Sequence, residues 1–348
     1  MNVVGYVTEE PETASFISLN VQGTGYASFV GFSPDGKKVI TSGRELGGTE
    51  SIVRIWDAES GEELQKLEGH TSEVIAVAFS QDGEKILTAA IDPVSRNVIT
   101  RVWNVESGEE MQKSEVQTGH FVPITFSPFA AFSPGGKRVI TASNGCDHTD
   151  RVNRSTTRIW DAMSEEELHK LEWAVRQGET AWAVNFSPDG SKVVIGINNT
   201  TAQIWDAELK NRLQTMRGHR HTLRAAVFSP DGKKVVTSSG FNDNTARIWD
   251  AESGKQLHIL EGHKDDVVDA AFSPDGKKVV TASFDGTARI WDVESGKEIQ
   301  RLHTSLVRMI GSFSPPQINW VKSVAFSPDG SKVATVSRDG GVRIWTLE

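Results

Sequence analysis

One phrase recurs through this chain. Phe-Ser-Pro-Asp-Gly, or a close variant, starts at Phe32, Phe79, Phe132, Phe186, Phe228, Phe272 and Phe326. Each copy is followed by a short apolar run and then by Ile-Trp or Val-Trp. The tryptophans so marked are Trp56, Trp103, Trp160, Trp205, Trp249, Trp291 and Trp345, separated by 47, 57, 45, 44, 42 and 54 residues. Self-similarity at such a period means that one supersecondary unit is used again and again and stacked on its neighbours. The longer spacings then measure insertions.

A single unit shows what it folds into. Val74 to Phe79 is apolar at every position, which suits a strand buried on both faces. Ser-Pro-Asp-Gly is a tight turn, with proline at its second position and glycine at its fourth. A second strand follows (Lys85 to Ala90), then a third ending at Trp103. Asp57 to Gly61 is the next turn, and the fourth strand, Glu62 to Leu67, is mostly polar and charged, as an edge strand should be. Four strands in about 40–45 residues describe a propeller blade. The sequence therefore predicts an all-β fold: a seven-bladed β-propeller of four-stranded antiparallel blades. The chain stops three residues after Trp345, so the seventh blade lacks a fourth strand. Ser15 to Val21 alternates as a half-exposed strand does and is expected to complete that blade. Residues 1–14 are then an N-terminal extension and 15–348 a single propeller.

The units resemble WD40, or β-transducin, repeats over about residues 15–348. Gly-His pairs stand at Gly69-His70, Gly119-His120, Gly218-His219 and Gly262-His263. Trp-Asp stands at Trp56, Trp160, Trp205, Trp249 and Trp291. The near-identical units are similar to those of bacterial members, where such rings often serve as sensor domains. The resemblance implies a buried His–Asp–Thr–Trp hydrogen-bond chain. Blade six matches it with His263, Asp285, Thr281 and Trp291, and blade five, shifted by two residues, with His219, Asp243, Thr237 and Trp249. A His, an Asp and a hydroxyl imitate a catalytic triad, yet a hydroxyl facing tryptophan inside a packed blade has no oxyanion hole beside it. No catalytic residue is assigned. Blades one, four and seven depart from the pattern, with Gly23-Thr24, with Gly178-Glu179 and Asn199, and with no Gly-His; in blades two and three the Asp partner is ambiguous. Blades five and six are expected to be the most rigid.

Composition narrows the function classes. With 37 basic and 46 acidic residues the net charge is −9, which argues against broad nucleic-acid binding. No apolar run reaches the roughly 18 residues of a membrane span, and the N-terminus lacks a signal-like start. A lone cysteine, Cys146, fits a reduced cytoplasm. A cytoplasmic monomer without cofactor is expected. Cys146-Asp147-His148 with Asp150 holds zinc-ligand types, but it lacks paired spacing and is read as a polar loop, so no metal is assigned.

The Ser-Pro-Asp-Gly and Asp-Ala-Glu-Ser-Gly turns share one end of the ring and hardly vary. The length variation falls at the other end: Arg44 to Ser51, Asp92 to Ile99, Asn144 to Thr156 and Thr304 to Asn319. Loops on a rigid scaffold carry binding, so this top face is the expected working surface. Tyr26, Trp182, Arg224, Phe284, Trp320, Lys322 and Arg338 are its predicted partner-binding residues, of the types that dominate hot spots. A second reading has Trp182 and Trp320 simply capping the core, and it applies to Trp173 too. Acids in the uniform turns (Glu62, Glu63, Glu109, Glu110, Glu165, Glu166, Glu167) and arginines at the top (Arg96, Arg101, Arg151, Arg154, Arg308) suggest steering of an acidic segment to the top; ordinary solvated charge is the other reading. The resulting expectation is a protein-interaction scaffold or sensor domain, not an enzyme, binding a protein or peptide of acidic character. The alternatives are a small-molecule or metal-binding propeller, hydrolytic in one form, and a purely structural repeat scaffold.

Overall fold

The computed structural model describes residues 15–19, 24–45, 51–72, 74–80, 82–92, 98–116, 130–146, 153–162, 164, 166–175, 183–197, 200–304 and 318–347. These form seven four-stranded antiparallel sheets and no helix. Six are consecutive in the chain, from Thr24–Phe32 through Glu63–His70 in blade one to Val267–Phe272 through Glu298–His303 in blade six. The seventh joins the two chain ends: Phe16–Leu19 pairs with Val342–Thr346, beside Lys332–Ser337 and Val321–Phe326. Phe16 stands opposite Trp345 and Leu19 opposite Val342. The innermost strands contact one another in order around the ring, and blade one meets blade seven. The expected closing strand is thus present, with Phe16–Leu19 as its described extent.

Burial follows position. The innermost strand Leu223–Phe228 is buried at nearly every residue, whereas the outermost, Gln256–Leu260, buries only its last. Core clusters span pairs of neighbouring blades: Val236, Ile248 and Leu260 of blade five pack with Phe272, Val279 and Trp291 of blade six. In blades one to six the register slips beside the marker tryptophan, as where Ile290 pairs with Gln300 but Trp291 with Glu298. The skipped residue, Ile299, is pushed outward and 53% exposed. Such bulges break up an edge that could otherwise pair with strangers.

The Ser-Pro-Asp-Gly turns tile around the uniform end. Gly276 adopts φ +69°, as the fourth turn position requires, and a Cβ placed there would stand 3.7 Å from Pro230 of the preceding blade. The same proline-on-glycine contact joins Pro274 to Gly330 and Pro328 to Gly36. Blade two carries Gln81 in place of the proline. At the next turn, Gly136 has no described atom within 4 Å of such a Cβ.

The variable-end insertion of blade three is partly ladder. Arg138–Cys146 and Asn153–Asp161 pair out to Cys146 opposite Asn153, and Glu167–Val175 extends alongside. Residues 144–146 and 153–156 are therefore strand where the sequence suggested loop. The added residues alternate polar and small types that a hairpin accommodates, and period-2 pattern is hard to see in Asn-Gly-Cys.

Candidate functional site

The structure holds two polar assemblies, one buried within the blades and one at the variable end. In blade six, the Nδ1 of His263 lies 2.9 Å from Asp285, its Nε2 lies 2.7 Å from the Thr281 hydroxyl, and the Trp291 indole donates to that hydroxyl at 2.9 Å. With Nδ1–H given to Asp285, Nε2 accepts the Thr281 proton, leaving the threonine oxygen to accept the indole. Burial lowers His263 below the usual imidazole range, against the opposing pull of Asp285, and the ring is held neutral. Burial would raise Asp285, but the bonds from His263, Thr287 and the Lys264 amide hold it well below the carboxylate range. Blade five repeats the arrangement with His219, Asp243, Thr237 and Trp249, at 3.1, 2.7 and 2.8 Å. The threonine is fully buried in both, with its oxygen already shared. This geometry ties strands together and leaves no room for a substrate.

Other blades hold parts of the chain. Blade two has His70–Thr88–Trp103, at 2.7 and 2.9 Å. Burial drives His70 down to about 3, helped by Arg101 and Lys113. Blades one and three keep the Trp56–Thr41 and Trp160–Thr141 bonds. In blade seven, Asn319 exchanges two 3.0 Å bonds with Asp339, and Trp345 donates to Thr335. Blade four solves the problem differently. Ile195 occupies the threonine position, opposite Gln203, and Gln203 itself accepts the Trp205 indole at 3.0 Å.

The second assembly lies at the variable end and crosses three blades. Asp266 is at its centre. Its Oδ2 accepts from Arg224 at 3.0 Å, its Oδ1 accepts the Phe241 amide at 2.6 Å, and its carbonyl accepts the Phe284 amide at 3.0 Å. The Arg224 guanidinium, 3% exposed as a residue, lies 4.8 Å from the Phe241 ring centroid. Phe284 stacks on Trp320 at 4.6 Å and 23°, and the Arg338 guanidinium lies 4.3 Å from the Trp320 ring. The Arg338 amide also donates to the Trp320 carbonyl at 2.8 Å. Blades five, six and seven thus share one run, with a cation on a ring at each end and Asp266 joining the two halves. Cation–π contacts of this kind contribute about 0.5–2 kcal/mol each. The Phe241 ring is 53% exposed and Ile318, against Gly286, is 47% exposed.

Of the residues expected at this face, Arg224, Phe284, Trp320 and Arg338 are brought together. Lys322 is buried in the innermost strand of blade seven, with a partner of its own. The Tyr26 side chain, on Thr24–Phe32, lies outside the described residues, as does all of Trp182. Trp173 lies on the outer strand Glu167–Val175 with an undescribed side chain; the Cys146 side chain is likewise undescribed, and Asp147, His148 and Asp150 are not described. Sequence reasoning missed Phe241. The loop Gly240-Phe241-Asn242-Asp243-Asn244 is two residues longer than its blade-six counterpart, and an aromatic in a lengthened loop was the available signal. Phe241, Asn242 and Asn244 all adopt positive φ, at 51°, 76° and 51°. A non-glycine residue held there costs of order 1–3 kcal/mol, with asparagine the more tolerant type.

The expected charge polarity needs correction. Arg101 is 9% exposed, inside blade two, and pairs with Glu110. Glu63 and Glu167 likewise face Arg54 and Arg158, each at 3.1 Å. These three acids neutralise arginines of their own blades. Arg96, Arg151 and Arg308, and the Arg154 side chain, lie outside the described residues. At the uniform end, a cleft of about 490 Å³ between blades seven and one is lined by Asp35, Asp57, Asp329, Lys332 and Pro328. Its acids serve their own turns. Asp329, for example, accepts from Ser327 and Ser331, which hold it at about 2. No cluster of potential metal ligands occurs among the described residues.

Comparisons with known proteins fall on the same regions. The family model described as WD domain, G-beta repeat matches residues 210–250, 254–292 and 309–346, which take in the first three strands of blades five, six and seven. The model of eukaryotic translation initiation factor eIF2A matches residues 16–122. Among curated proteins, Cell division cycle 20.1, cofactor of APC complex, from Arabidopsis thaliana is 30% identical over 63 residues, 18% of this chain. The match spans 14% of that relative's length.

Proposed function

We propose that this chain, which belongs to the WD40-repeat family, is a non-enzymatic interaction scaffold that holds a protein or peptide on the variable face of blades five to seven. The Phe284–Trp320–Arg338 stack carries this reading. A tryptophan and an arginine fixed in place and partly open to solvent offer contact area without the ordering cost that flexible side chains incur. The ring behind them is held by the complete polar chains of blades five and six. The relative described as a cofactor of the APC complex supports work inside an assembly; a match of this length does not name which one. A position in the translation machinery is a second reading, favoured by the eIF2A match across the first two blades.

Affinity capture with the wild-type ring and a Trp320→Ala, Arg338→Ala variant tests the proposal. Proteins recovered by the wild type should be lost from the variant, with melting temperatures equal within about 2 °C because the stack is at the surface. Equal recovery by both would remove this face from consideration. Cosedimentation with ribosomes that survives the double substitution would favour the second reading.

A further inference from the structure

Four observations converge on the loop 240–244. It holds three of the four non-glycine residues with positive φ among those described. It presents Phe241 half out of the protein. Its entry, Gly240, lies so close to the Asp266 carboxylate that a Cβ there would come within 2.4 Å. The Phe241 amide and ring are both held, one by Asp266 and the other by Arg224. A left-handed backbone at a phenylalanine is maintained only where its surroundings over-determine it. Here a buried ion pair holds a large apolar ring toward solvent.

We infer that Phe241 is a second anchor of the binding face, and that the occupant is an extended peptide segment with an apolar side chain beside a carboxylate. The inference rests on the scaffold reading above and specifies its ligand. Apolar contact comes from Phe241, Phe284 and Ile318, which the Asp266 bonds and the Gly286 turn draw into one patch. The charge requirement comes from Arg338. Among the described residues, Arg54, Arg101, Arg224, Arg289 and Arg343 each face a carboxylate. Arg338 has its stack on Trp320 and no described acid. A guanidinium stacked on a ring keeps its edge for in-plane donors, which match a carboxylate. Asp266 is a positioning residue in this scheme, since its carboxylate is already shared by Arg224 and Phe241.

An array of octapeptides Gly-Ser-Gly-X-Z-Gly-Ser-Gly, with X drawn from Phe, Leu, Ser and Lys and Z from Asp, Ser and Lys, tests this on the full chain. The wild type should prefer apolar X and acidic Z, by about tenfold each. Phe241→Ala should erase the preference at X and keep that at Z, and Arg338→Ala should do the reverse. Phe241→Tyr, which keeps the ring, should restore selection at X and so separate the anchor from loop collapse. If Trp320→Ala erases selection while Phe241→Ala leaves it intact, the second anchor is refuted and the scaffold face stands. An array with no selection by the wild type, or one unchanged in every variant, overturns both.

Discussion

Blades five to seven and blades two and three are built from the same phrases, yet they are finished differently. In blades five and six each tryptophan is tied through threonine and histidine to an aspartate, and that aspartate also accepts the backbone amide that follows the histidine. Among the described residues, blade three shows the Trp160–Thr141 bond, and blade two shows the run from Trp103 through Thr88 to His70, which burial lowers to about 3. The seam between two and three also lacks the turn proline that its counterparts have. The difference shows what the polar chain does. It carries the regularity of the buried strands up to the variable end, so the loops there start from fixed points. The aromatic and cationic run from Phe241 to Arg338 sits on that regular arc, and the family model matches there too.

The largest effect should come from breaking the complete chain. Asp285→Ala leaves His263, Thr287 and the Lys264 amide without their acceptor and should cost about 3 kcal/mol in urea unfolding. Among the described residues Thr141→Ala orphans the Trp160 indole and should cost about 1 kcal/mol. Equal losses would abolish the contrast between the two arcs.

Acid should be the next lever. An imidazole lowered in the folded state favours folding fully above its unfolded value, about 6.5, and loses that contribution as pH falls toward the folded one. His70, at about 3, gives the widest window, whereas the carboxylates of Asp243 and Asp285 oppose the shifts of His219 and His263. Between pH 7 and pH 5 the wild type should lose about 1–2 kcal/mol through His70. His70→Gln should shrink the acid-induced fall in melting temperature more than His263→Gln does. The opposite order would mean that the aspartates do not set the difference between blades.

The smallest effect sharpens the seam. Gln81→Pro supplies the missing turn proline and should raise stability by about 0.5 kcal/mol through the unfolded state. A loss of more than that would show that the turn before blade three departs from its six counterparts.

Much of this was legible in the residues themselves. Blade count, strand order and closure followed from turn residues and marker tryptophans, because a tight turn and a buried apolar run are local signals. The polar chains of blades five and six followed from spacing. What escaped is what depends on contacts between blades or on substitution within one. Gln203 standing in for a threonine in blade four and Asn319 answering Asp339 in blade seven have no repeat counterpart to announce them. Charges were misassigned because Arg101 and Glu110 are nine residues apart in sequence yet face each other across adjacent strands. Phe241 escaped because the carboxylate that holds its amide belongs to the next blade.

Peptide-resolved hydrogen–deuterium exchange on the intact ring tests the central contrast most directly. The slowest exchange is expected in Lys234–Ser239, Ala246–Asp250, Lys278–Ser283 and Thr287–Asp292, with measurably faster exchange in Arg138–Cys146 and Lys85–Ile91. Uniform protection around the ring, or the reverse order, would contradict it.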